Sequence, residues 1–201
     1  MRFFLKLGSI LFHPLLIPVM GTALYFYITP RFVEKPMVTA NLFALAVITV
    51  IIPIVVFFLL RSIGQVKSIY LKDVSERKFP LMVQCVLILL IIKMVFNPYD
   101  SPELYFFFVG ILFSAFAALV MVLFRVKVSL HQIGVAGILM FLVGLSAHFK
   151  INLLVPISFF LFVNGWVASS RLQAKAHSYM ELGIGFLIGA LPQLVLFNMW
   201  L

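Results

Sequence analysis

Long apolar runs separated by short polar stretches make up most of the chain. They fall at about 9–28, 38–60, 81–97, 104–124, 132–148, 152–169 and 182–200. Each is near the ~20 residues that a helix needs to cross the hydrocarbon of a bilayer. The runs are too long for strands and lack a period-two alternation, so the pattern predicts helices, which satisfy their own backbone groups in lipid. The expected fold is all-α: a polytopic transmembrane helical bundle of six to seven spans, in a single domain over residues 1–201. The short run at 132–148 suits a tilted or partly re-entrant segment. The first run carries His13, Pro14 and Pro18. If it dips into the membrane rather than crossing, the count is six.

Composition agrees with that pattern. Apolar residues are 64% of the 201 and charged residues only 10%, against about a quarter in a soluble domain. Mean hydropathy is +1.20. A soluble globule is excluded, because the polar groups are too few to cover one. The N-terminal run shows no small-residue cleavage site before Gly21, so the first helix is expected to stay. Cys85 is the single cysteine; it has no partner for an internal disulfide, and packing is its expected role.

The net charge of +9 is unevenly placed. Lys and Arg gather at Arg2 and Lys6, at Arg61 to Lys78, at Arg125 and Lys127, and at Arg171 and Lys175. The turn at 97–103, NPYDSPE, carries two acids and no base. The positive-inside rule places the basic loops in the cytoplasm. An anion-binding site would gather the same residues. With two spans between successive basic loops, segments 61–80, 125–131 and 170–181 open on one membrane face and can converge there. The expected setting is a bacterial cytoplasmic (inner) membrane. The expected partners are membrane lipids, not nucleic acid.

Each polar segment has a bland reading and a chemical one. KSIYLKDVSERKFP, 67–80, can simply hold anionic headgroups. In RVKVSLHQIG, 125–134, Ser129 is placed to cap a helix whose first turn carries His131. His13 and His148 read as ordinary interfacial histidines. SRLQAKAHSYME, 170–181, is more specific. His177 and Glu181 are four apart and share a helix face. A carboxylate entering a span is a functional candidate by default. A carboxylate holding one imidazole nitrogen leaves the other free to attack or to take a proton. Gly183, Gly185 and Gly189 follow Glu181, and the last two form Gly-x-x-x-Gly, which lets helices approach closely.

Taken together, the segments resemble the three-part signature of the type 2 phosphatidic acid phosphatase (PAP2) superfamily. That pattern is Lys-x6-Arg-Pro, then Pro-Ser-Gly-His, then Ser-Arg-x5-His-x3-Asp. Here Lys72 stands eight residues before Pro80, Ser129 two before His131, and Ser170-Arg171 lead to His177 and Glu181. The third motif matches apart from Glu for Asp. Phe79 stands where the family has Arg, with Arg77 and Lys78 beside it, and Leu130 replaces the glycine of the second motif.

The resemblance implies a PAP2-like bundle and hydrolysis of a lipid phosphate through a phosphohistidine. His177 would be the nucleophile, Glu181 its orienting carboxylate and His131 the acid–base. Lys72, Arg77, Ser129, Ser170 and Arg171 would hold the phosphate. No metal or other cofactor is implied. Relatives act on phosphatidic acid, phosphatidylglycerol phosphate or polyprenyl diphosphates such as undecaprenyl diphosphate. The alternative is a PAP2-like protein that binds or moves anionic lipid without hydrolysis, the reading that Phe79 and Leu130 favour.

Overall fold

The computed structural model describes residues 2–66 and 73–201, and among them every regular element is helical. Helix α1 (Arg2–Leu11) leads through a single 3-10 turn at Pro14–Leu16 into α2 (Ile17–Ile28). The axis bends by 41° at that break. Pro14 and Pro18 each lack the N–H that a continuous helix would need, so the first apolar run is broken where the sequence placed its prolines.

The second run is one long helix, Lys35–Ser62. It consists of α3 (Lys35–Ala46), a π-helical turn at Val47–Ile51 and α4 (Ile52–Ser62). Pro53 cannot donate to the carbonyl four residues back, and the widened turn lies directly ahead of it. Then come α5 (Lys78–Met94), α6 (Pro102–Leu123), α7 (Leu130–Phe149), α8 (Leu154–Gln173) and α9 (Tyr179–Leu196). Among the described residues, five helices are long and apolar enough to cross a membrane, or six with the bent first pair. Helix α5 has 17 residues, shorter than those spans. The run at 132–148, which suits a tilted or partly re-entrant segment, is an uninterrupted 20-residue helix, α7. It is the most enclosed of the spans, with 61% of its apolar window buried.

Helix α7 is central because its small residues permit it. Its most extensive packing is against α9. A methyl on Gly185 would lie 3.0 Å from the Ser129 carbonyl oxygen, and one on Gly189 would run into the Ile133 carbonyl. The Gly-x-x-x-Gly pair therefore sets the α7–α9 spacing, as small residues do between helices in lipid. Pro192 inside α9 leaves the Ile188 carbonyl without its helical donor. The Ser114 hydroxyl of α6 donates to that carbonyl at 2.8 Å. The polar group is satisfied, as apolar surroundings demand.

The far end of the bundle holds a second polar cluster. Glu103, fully buried at the start of α6, meets Arg31 Nη2 at 2.7 Å and His148 Nε2 at 2.9 Å. The Tyr25 hydroxyl donates to it at 3.2 Å. The reading of His148 as a plain interfacial residue is thus corrected: it joins Arg31 and Tyr25 on the buried Glu103 carboxylate, linking the ends of α6 and α7 to α2 and the turn after it.

Candidate functional site

The local chain path at the other end is set by helix stops and caps. Helix α8 ends in a Schellman turn: Ala176 N–H reaches the Arg171 carbonyl at 3.0 Å, and Lys175 N–H reaches that of Leu172 at 2.9 Å. Lys175 takes the left-handed position (φ 50°) that glycine usually fills. Helix α6 stops the same way, with Arg125 left-handed at φ 59°. After the α8 turn, Ser178 caps α9 in a reciprocal capping box with Glu181. This compact connection carries His177 into the bundle, with only 3% of its side chain exposed.

The His177–Glu181 pair forms as the spacing predicts. His177 Nδ1–H donates to Glu181 Oε2 at 2.7 Å. That tautomer follows from the acceptor being a carboxylate, and it leaves Nε2 with a lone pair. Burial pushes the His177 imidazole down to about 4; the Arg77 and Lys127 cations push the same way, and the Glu181 carboxylate pulls back. The ring is therefore neutral near pH 7.

The three polar segments do converge. Arg77, His131, Ser170, Arg171 and His177 all line one cavity of about 1590 Å³, and Lys127 lines it too. Arg77, buried just before α5, donates from Nη1 to the Val128 carbonyl at 3.1 Å and so ties the first segment to the second. It is Arg77, not Lys78, that lines the cavity; Phe79 is 40% exposed and absent from its wall. Lys127 Nζ donates to the Ala176 carbonyl at 2.6 Å, tying the second segment to the third. Lys72 lies outside the described residues. Glu181 is behind His177 rather than on the wall.

Ser129 departs from its expected role. It caps α7, its hydroxyl accepting the Gln132 N–H at 3.4 Å, as the sequence indicated. However, it is fully buried and is not on the cavity wall, and its own N–H goes to the Glu181 carbonyl at 3.4 Å. The close α7–α9 contact at Gly185 covers it. It serves the helix start and does not cradle an anion.

Helix α1 contributes what the sequence reading missed. Ser9 Oγ lies 2.6 Å from Ser170 Oγ and accepts from Arg171 Nη1 at 3.4 Å. His131 Nε2–H donates to the Ser9 carbonyl at 3.1 Å. The His13 ring stands edge-on to His131, centroids 5.3 Å apart, so its reading as an ordinary interfacial histidine is also corrected. Lys6, Ser9 and His13 all line the cavity. Lys6 and Ser9 are three apart on one face of α1, and His13 follows in the break before the 3-10 turn. A polar stripe inside an apolar run was the available signal.

Below this polar end the cavity is mostly apolar, with Gln84, Ser114 and Gln193 as its polar residues. Its wall continues along Pro53, Phe57, Leu81, Ile111 and Ala115 down to Gln193. From the start of α9 to Gln193 is about 20 Å at 1.5 Å per residue, most of a ~30 Å hydrocarbon layer. The volume exceeds the 300–1,000 Å³ typical of small-molecule pockets. No group of three or more His, Cys, Asp or Glu among the described residues is placed to hold a metal.

Comparison with protein-family models, with curated proteins and with solved structures finds no match. What the site can do therefore rests on its own geometry. A neutral, oriented imidazole faces a cavity ringed by Lys6, Arg77, Lys127, Arg171 and Lys175, with no acid on the wall among the described residues. Such an arrangement binds an anion and offers it a nucleophile.

Proposed function

We propose that the protein hydrolyses a phosphate ester or diphosphate borne on a hydrocarbon tail, through a phosphohistidine at His177. One observation carries this reading. The Glu181-held imidazole opens onto the same cavity as His131 and five cations, and that cavity continues as a mostly apolar channel. The cationic end suits a phosphate and the channel suits a tail.

The steps use these groups in order. The Nε2 lone pair of His177 attacks phosphorus while the P–O bond to the lipid breaks, its electron pair leaving with the lipid oxygen. His131, protonated on both ring nitrogens once the phosphate anion is bound, turns from the Ser9 carbonyl and gives one proton to this oxygen, becoming neutral imidazole. The Nδ1–H of His177 stays on Glu181, which balances the positive charge gained by the ring. Water then attacks the phosphoryl group, giving a proton back to His131. The N–P bond breaks, its pair returns to Nε2, and inorganic phosphate leaves. Arg77, Arg171 and Lys127 offset charge on the phosphoryl oxygens throughout.

The second reading, a binding protein for anionic lipids, draws on Ser129, which is turned from the cavity, and on Leu130, which lines it. Phosphate release from a short-chain lipid phosphate in detergent, with chelator, separates the two. Turnover by wild type that is lost in His177→Ala supports the hydrolase. Lipid binding with the same background release from both leaves only the binding protein.

A further inference from the structure

Resting on the phosphohydrolase reading of this site, we propose that Ser9 of the N-terminal helix is a phosphate-binding residue, filling the hydroxyl position that Ser129 does not. The site is then built from four stretches of chain, one of them far outside the 72–181 region that carries the motif pattern.

The geometry gives Ser9 that position. Three groups with roles in the chemistry meet on it: Ser170 Oγ at 2.6 Å, Arg171 Nη1 at 3.4 Å and His131 Nε2 at 3.1 Å. A hydroxyl at the junction of an arginine and a second hydroxyl can turn its own O–H to an anion that joins them. Arg171 has donor capacity left for that anion, since its buried Nε meets no acceptor among the described residues. Ser129, by contrast, spends its hydroxyl on the α7 cap and is off the wall.

Ser9 is also held firmly enough to serve. The Phe4 ring stacks on Trp166 of α8, centroids 4.5 Å apart, and Trp166 Nε1 donates to the Phe4 carbonyl at 3.1 Å. A methyl on Gly8 would lie 3.0 Å from the same indole. Helix α1 is thus seated on α8, the helix that bears Ser170 and Arg171. The contact of Ser9 with His131 runs through its carbonyl, whereas the phosphate contact would run through its hydroxyl, so the two separate by mutation.

The test is the affinity for inorganic phosphate of the full-length protein in detergent, at constant ionic strength, for wild type, Ser9→Ala and Ser9→Thr. Ser9→Ala keeps the carbonyl and removes the hydroxyl. It is expected to weaken phosphate binding about tenfold, the value of one hydrogen bond to a charged group, while Ser9→Thr stays close to wild type. Should Ser9→Ala not fold, Ser9→Cys keeps the volume, weakens the donor and is read the same way. Equal affinity in wild type and Ser9→Ala, or a wild type that binds no phosphate, overturns the proposal. Turnover in the same samples isolates the wider reading. Phosphate binding that needs Ser9, without wild-type hydrolysis, keeps this inference and ends the hydrolase. Wild-type hydrolysis with phosphate binding indifferent to Ser9 does the reverse.

Discussion

Glu181→Gln is the sharpest test of the chemistry, because it changes one charge and little else. The amide keeps the shape and can still accept from His177 Nδ1–H and from the Ser178 N–H at the helix cap. What is lost is the attraction between the carboxylate and the positive ring that forms as His177 bonds to phosphorus. At a charge separation of about 4 Å and an effective dielectric of ~20, that attraction is ~4 kcal/mol. The Glu181 side chain is 26% exposed, and solvent screening cuts the attraction to about half. A loss of ~2 kcal/mol in the transition state is about a 30-fold fall in kcat. The pH profile must move as well. In the proposed mechanism His177 attacks only when unprotonated, so the wild-type rate should fall as pH drops through about 4. Glu181 raises that value, so removing its charge shifts the acid limb to lower pH. The ionisation of the substrate's own phosphate near pH 6 is common to both proteins and cancels in the comparison. The assay is phosphate release from a short-chain lipid phosphate between about pH 3.5 and 8. A variant with wild-type kcat, or with its acid limb moved upward, would refute the role given to Glu181.

The remaining predictions concern the frame and the channel. Gly189→Ala puts a methyl into the Ile133 backbone and must part α7 from α9; it should cost about 1–3 kcal/mol, read as a lower melting temperature in detergent, and an unchanged one defeats the packing argument. Glu103→Gln leaves Arg31 and His148 without their shared carboxylate; because Arg31 is partly in water, about 1–3 kcal/mol of stability should go, with phosphate release by the remaining folded protein unchanged. Ala115→Trp fills the buried channel wall; KM should rise for long-tailed substrates and hold for short-chain ones, and an equal effect on both would place the tail elsewhere.

Much of the frame was legible because apolar length and capping are local signals. Every apolar run is helical, the first of them broken at its prolines, Ser129 caps α7, and His177 with Glu181 forms the pair that four-residue spacing allows. The convergence of Arg77, His131 and Arg171 followed from counting spans between basic loops. What escaped notice depends on partners remote in sequence. Glu103 looked like an acid in a polar turn, because Arg31 and His148 lie 72 and 45 positions away in the chain. Ser9 was one small residue in an apolar run, and only the seating of α1 on α8 gives it three polar neighbours. Ser129 was rightly read as a cap and wrongly as a phosphate ligand, since the glycine-set closeness of α9 covers it.

The oxygen that steadies the His177 ring also takes the Ser178 backbone N–H, 3.4 Å away, at the head of α9. Glu181 therefore has an architectural duty independent of any reaction. A chain with or without hydrolytic activity would be under the same pressure to keep that acid for folding, so its survival in a sequence says little about activity. His177 caps nothing. On the hydrolase reading, the imidazole is therefore a better marker of activity than the acid in any lineage descended from this chain.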